Sequence, residues 1–98
     1  MDMYELLGRD SPEKIKLLIA ENFKACRKMK HVTQVELSKK SGVPYGTIRN
    51  FEQKGNISIA SLILLAEALD MSNDFKFLFN KVNHQSREDI LREFKKKR

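Results

Sequence analysis

The chain of 98 residues has a single cysteine, Cys26, and only two histidines, His31 and His84. One cysteine excludes an internal disulfide, and Cys26 with the two histidines falls short of a zinc-ligand set. No stretch approaches the roughly 18 to 20 apolar residues of a membrane span, and residues 1–11 carry no apolar core long enough for a signal peptide. The histidines have no triad partners at a catalytic spacing, and neither a glycine-rich phosphate loop nor a nucleophile motif occurs. No segment alternates convincingly with period two, and no internal repeat is visible. These absences predict a cytoplasmic, all-helical protein with no metal, no cofactor and no active site.

Positive charge is present in excess, and it is unevenly placed. Of the net +6, residues 1–26 hold four Lys/Arg against five Asp/Glu and residues 55–86 hold two against three, so each segment is −1. Residues 27–54 hold seven against two, or +5, and residues 87–98 six against three, or +3. A concentrated basic patch fits a phosphate backbone, although acidic proteins and anionic membranes are attracted by the same field.

Helix signals follow in series. Met3, Leu6 and Leu7 form a short arm ending at Gly8. Ser11-Pro12-Glu13 is a helix start, and Ile15, Leu18, Ile19, Phe23 and Cys26 then recur at helical spacing to about Met29. Thr33-Gln34-Val35-Glu36 is a capping box that opens a second helix, closed at Ser41 by Gly42. A third runs from Pro44 or Tyr45 to Gln53 with Val43, Ile48 and Phe51 inward, stopped by Gly55. Ser58 caps a fourth carrying Ile59, Leu62, Ile63, Ala66 and Leu69. A fifth carries Phe75, Leu78, Phe79 and Val82, and Ser86-Arg87-Glu88-Asp89 caps a last short one with Ile90, Leu91 and Phe94. The expected division is an arm at 1–10, a domain at 11–83, and a short C-terminal helix with a basic tail at 84–98.

Two short helices joined through Gly42 and Val43 make a helix-turn-helix. Gln34, Leu37, Gly42, Val43, Ile48 and Glu52 fit the pattern Q-x-x-L-A-x-x-x-G-V-x-x-x-x-I-x-x-x-E, and over residues 15–70 or so the chain resembles the phage repressor and Cro-like, or XRE, family. That resemblance implies a compact five-helix lambda-repressor-like domain whose third helix enters the major groove of double-stranded DNA, usually as a homodimer on a partly palindromic operator. Matched by position, it assigns Tyr45, Gly46, Thr47 and Asn50 to the groove; Arg49 suits a phosphate or the solvent equally, and Lys54 is counted with the DNA-binding residues. Thr33 and Gln34 are assigned to phosphate. Asn suits adenine, a Tyr ring meets a thymine methyl or a phosphate, and Gly46 lets the backbone come close. The resemblance also implies a partly buried ion pair between Arg27 and Glu52.

Three residues depart from the pattern. Ser38 replaces the usual Ala, Pro44 replaces a capping Ser, Thr or Asp, and Gly46 costs roughly 1 kcal/mol of helix propensity against Ala. The run FEQKGNISIASLILLAEALDMSNDFKFLF is similar to small XRE proteins encoded beside Hip-type kinase toxins, which implies an antitoxin that represses its own operon and binds its toxin kinase. Lys39, Lys40 and the tail Lys95 to Arg98 read as nonspecific phosphate neighbours. Cys26 reads as inert core. Leu64, Leu65, Met71 and Phe77 exceed what the core stripes require, which predicts a two-fold dimer contact there, with Met3, Leu6 and Leu7 as contributors.

Overall fold

The computed structural model of the protein describes residues 2–83 and Arg92. Among them lie helices α1 (Met3–Leu6), α2 (Pro12–Met29), α3 (Gln34–Ser41), α4 (Tyr45–Lys54), α5 (Ile59–Ala68) and α6 (Asn73–Lys76), then a 3-10 turn over Asn80–Asn83, with no strand. The expected helix after Ser86 with Ile90, Leu91 and Phe94, the tail Lys95 to Arg98, His84 and the side chain of Val82 lie outside the described residues.

Local chemistry sets the helix ends. The Ser11 hydroxyl accepts from the Lys14 N–H at 3.2 Å, and Ser58 does the same for Ser61 at 3.1 Å. Thr33 and Glu36 complete a reciprocal capping box, each bond 3.1 Å. Gly42 and Gly55, both at φ +77°, close α3 and α4 in the left-handed conformation. Between α3 and α4 the turn satisfies its own backbone. The Gly42 N–H donates to the Ser38 carbonyl and the Val43 N–H to the Ser41 hydroxyl, while the Ser38 hydroxyl donates to the Val43 carbonyl at 2.7 Å. Ser38 is thus more than a small residue standing in for Ala; its hydroxyl holds the turn.

The core gathers Ala20 and Phe23 from α2, Leu37 from α3, Val43 from the turn, Ile48 and Phe51 from α4, and Leu65 with Leu69 from α5 and its end. Phe23 meets Phe51 edge to face, with centroids 5.5 Å apart. By these contacts α4 rests on α2, and α3 packs against both α4 and α5.

Three expectations need correction. Ile15, Leu18 and Ile19 are half exposed, because α2 meets the core through the row Ala20, Phe23 and Arg27 in its C-terminal half. Leu65, expected at a dimer contact, is fully buried within its own chain, and Met71 packs against the same core; of that set Leu64 stays exposed and Phe77 half-buried. The expected fifth helix is one turn long: it ends at Lys76 with Phe77 as its C-cap, and Phe79 at φ +63° turns the chain again two residues later.

Arg27 and Glu52 are both buried and form a forked ion pair: Nε donates to Oε2 at 2.7 Å and Nη2 to Oε1 at 2.8 Å. The remaining Arg27 nitrogen, Nη1, donates to the Val32 carbonyl at 2.8 Å. Burial is the largest influence on the Glu52 carboxyl and pushes its pKa up. Hydrogen bonds from Arg27 and Gln34, with the charges of Arg27 and Lys24, outweigh burial and hold it below the ordinary value of 4.5. On the Arg27 side the hydrogen bond to Glu52 raises the pKa against the opposing effect of burial.

Two predictions follow from these contacts. A Cβ at Gly55 meets the backbone and Cβ of Lys16 at 2.9 Å, whereas a Cβ at Gly42 meets nothing. Gly42→Ala therefore costs left-handed strain alone, about 1 to 2 kcal/mol, and Gly55→Ala costs more because α2 must move as well. Urea unfolding of the two variants checks the order. For Glu52 the folded-state pKa is depressed, so its stabilisation is complete above 4.5 and is lost as pH falls through the lower folded value. Glu52→Gln starts about 3 to 5 kcal/mol less stable near neutral pH because Arg27 is left unpaired, and its stability then falls less steeply with acid. Parallel acid limbs in wild type and variant contradict this assignment.

Candidate nucleic-acid interface

Because α4 turns Ile48, Phe51 and Glu52 inward, its other faces are exposed. Gly46, Asn50 and Lys54 fall four residues apart and form one outward row, and Tyr45 and Arg49 form a second row beside it. Thr47 is half-buried at the edge. Pro44 stands at the N-cap position and no side chain caps α4, so the first N–H groups of the helix lack a side-chain acceptor. Nothing lies within 4 Å of a Cβ built on Gly46, so the space in front of this turn is open.

The start of α3 stands next to that turn. Thr33, Gln34, Val35 and Tyr45, with Arg27, line an open depression of about 320 Å³. Thr33 is exposed, but its hydroxyl is committed to the Glu36 N–H. Gln34 is half-buried and its Nε2 donates to Glu52 Oε1 at 3.0 Å, so the core ion pair orients the first side chain of α3. The Thr33 backbone N–H, then its hydroxyl, hold the exposed Glu36 carboxyl below its ordinary range, and Lys40 and Lys39 add to the effect. Glu36 therefore stays ionised as a cap, and the exposed Lys39 and Lys40 at the other end of α3 keep the surface basic.

The structure thus brings Thr33, Gln34 and Tyr45 around one depression and sets Gly46, Arg49, Asn50 and Lys54 along the adjoining exposed faces of α4. Arg27 and Glu52 are joined behind them, in the core. Val35 was missed by sequence reasoning. It is an apolar residue about half exposed beside Tyr45, and its place directly after Gln34 in the capping box was the available signal. The Val32 carbonyl, third anchor of Arg27, has no side-chain signal at all.

Among the described residues no group of three or more His, Cys, Asp or Glu side chains is placed to hold a metal ion, and no helix is long and apolar enough to cross a membrane. The family model described as helix-turn-helix (HTH_3) matches residues 23–74, more than half of the chain, running from Phe23 on α2 through the turn and α4 to Asp74 in α6. Among curated proteins none matches the chain significantly. The match is to the wide family and does not reach the Hip-type subgroup. With its capped α3, glycine-closed turn and outward α4 inside the matched span, the chain belongs to the XRE-type helix-turn-helix family of DNA-binding transcriptional regulators.

Proposed function

We propose that the protein is a sequence-specific repressor that binds a partly palindromic DNA operator as a homodimer, with α4 in the major groove. The observation that carries this reading is the α4 surface itself. Its outward row offers Asn50 and the bare backbone at Gly46, its N-terminus is uncapped, and both lie within the segment of charge +5. A plain solvent-facing helix gains nothing from a glycine and a missing cap in its first turn; a helix that must approach base edges does.

The roles divide by chemistry. Asn50 and Tyr45 meet base edges, and Gly46 with Thr47 allows the approach. Gln34, oriented by Glu52, turns its second Nε2 proton to a phosphate oxygen, and the N–H groups at the start of α3 lie beside it. Arg49, Lys54, Lys39 and Lys40 add phosphate contacts that carry no sequence information. The dimer contact uses Leu64 and Phe77, supported by the exposed Met3, Leu6 and Leu7, and excludes Leu65, which the core consumes.

Three substitutions separate reading, positioning and folding. Asn50→Ala loses about 1 to 3 kcal/mol on a selected operator and little on scrambled DNA. Lys40→Ala weakens binding to both alike and lowers the salt slope by about one phosphate contact. Gly46→Ala raises folding stability by about 0.5 to 1 kcal/mol while weakening operator binding, since the added methyl meets open space in the protein and DNA in the complex. Titrations of labelled operator and scrambled DNA at several salt concentrations, with urea unfolding alongside, read all three. Equal affinity for both DNAs at every salt concentration removes the repressor reading and moves a protein-binding role, toxin binding among them, ahead of it.

A further inference from the structure

The depression of about 320 Å³ where α3 and α4 begin is lined by Arg27, Thr33, Gln34, Val35 and Tyr45. The fold already engages three of these through their polar groups. Arg27 directs its nitrogens to Glu52 and the Val32 carbonyl, so its charge is met by a carboxylate. Gln34 donates to the same carboxylate, and the Thr33 hydroxyl accepts from the Glu36 N–H. What stays open beside them is apolar: Val35, 51% exposed, and the ring of Tyr45, a residue 44% exposed. Folding does not account for Val35. The core takes Leu37 alone from α3, and a β-branched residue is a weaker helix former than Ala.

The major groove of DNA presents one small apolar group, the C5-methyl of thymine, and apolar contact with it distinguishes that base from the others. The methyl projects from the edge of the base nearest its own sugar-phosphate chain, so a side chain next to a phosphate contact can reach it. Val35 directly follows Gln34, the residue given a phosphate above, and shares the depression with Tyr45 at the start of α4. A phosphate inside the depression itself fits less well, because the guanidinium that lines it is already paired.

We propose that Val35 and Tyr45 form a receptor for the C5-methyl group of a pyrimidine, which makes Val35 a specificity-determining residue outside the helix that enters the groove. The proposal rests on the DNA-binding reading above, and it adds a base contact from α3, whose other contacts only position the domain. Thymine carries this methyl in ordinary DNA, and 5-methylcytosine carries it in methylated DNA.

Duplexes selected from random sequence by the wild-type protein supply the probe, with a scrambled duplex as reference. Each thymine of a half-site is replaced in turn by deoxyuridine, which removes the methyl and nothing else. At one thymine the wild type loses about threefold to tenfold in affinity. Val35→Ala binds the thymine duplex more weakly and the deoxyuridine duplex as before, so the ratio between them falls toward one at that position. Methylating a cytosine placed there strengthens the wild type and leaves Val35→Ala nearly unaffected, and the tighter of the thymine and 5-methylcytosine duplexes identifies the source. A wild type that prefers selected over scrambled DNA, yet binds thymine and deoxyuridine alike at every position, overturns the receptor while the DNA-binding reading stands. Val35→Ala weakening both duplexes by the same factor overturns it too, since Val35 then touches the backbone or supports the fold. Equal wild-type affinity for selected and scrambled duplexes removes the DNA-binding reading and the receptor with it. If urea unfolding shows Val35→Ala destabilised, Val35→Thr, which keeps the branched shape, replaces it under the same criteria.

Discussion

One carboxylate joins three helices of this domain. Glu52 on α4 receives Arg27 from α2 through two nitrogens and Gln34 from the first turn of α3 through another, and Arg27 uses its third nitrogen on the Val32 carbonyl just before α3 begins. Desolvating two charges is costly, and apolar residues of similar volume often stabilise a core equally well. Apolar contacts have no direction, however. The fork of Arg27 fixes the distance and the angle between α2 and α4, and the shared Oε1 extends that constraint to α3. The two helices that present the basic surface are therefore held in register by a bond pattern that tolerates little sliding.

The same contrast between a fixed and an adaptable part runs along α4. Its C-terminal end stops at a left-handed Gly55 pressed against the Lys16 backbone, where even a methyl group has no room. Its N-terminal end begins at Pro44 without a side-chain cap and carries Gly46 in the first turn, which weakens that turn by roughly 1 to 2 kcal/mol against a capped, alanine-bearing start. The other three described helices of eight or more residues are side-chain capped, at Ser11, Thr33 and Ser58. Departure from local rules at this exposed turn is the pattern of a surface shaped for contact, because nothing in the fold itself requires it.

Much of this was legible in the sequence because its causes are local. Thr33 with Glu36 and the glycines at 42 and 55 act within one turn of helix, so the motif and its boundaries could be read within a residue or so. The Arg27–Glu52 pair was available only through the family resemblance, since nothing near either residue says that the two meet. The apolar face of α5 could not be assigned: Leu62, Ile63, Leu64 and Leu65 surround the helix, and only the packing of α3 against it selects Leu65 for the core and leaves Leu64 outside. On α2 the choice of Ala20 over Ile15 and Leu18 was hidden for the opposite reason. A small residue gives a weak hydrophobic signal, yet it is what lets helices approach closely. The turn at Phe79 has no local sequence cue, because a phenylalanine at positive φ runs against its own preference.

The two ends of α4 face different surfaces, and the helix separates them by about 15 Å. Tyr45 and Gly46 stand at the surface proposed to meet DNA, while Phe51 and Gly55 line an apolar groove between α2 and α5. That groove meets α4 at Phe51, which is wedged against Phe23, and at Gly55, which is fixed against Lys16. The groove therefore lies at the end of the helix that is packed most tightly. The other end, from Pro44 to Thr47, has neither a side-chain cap nor a neighbour in front of Gly46, so the fold constrains it least where the proposed nucleic-acid surface lies.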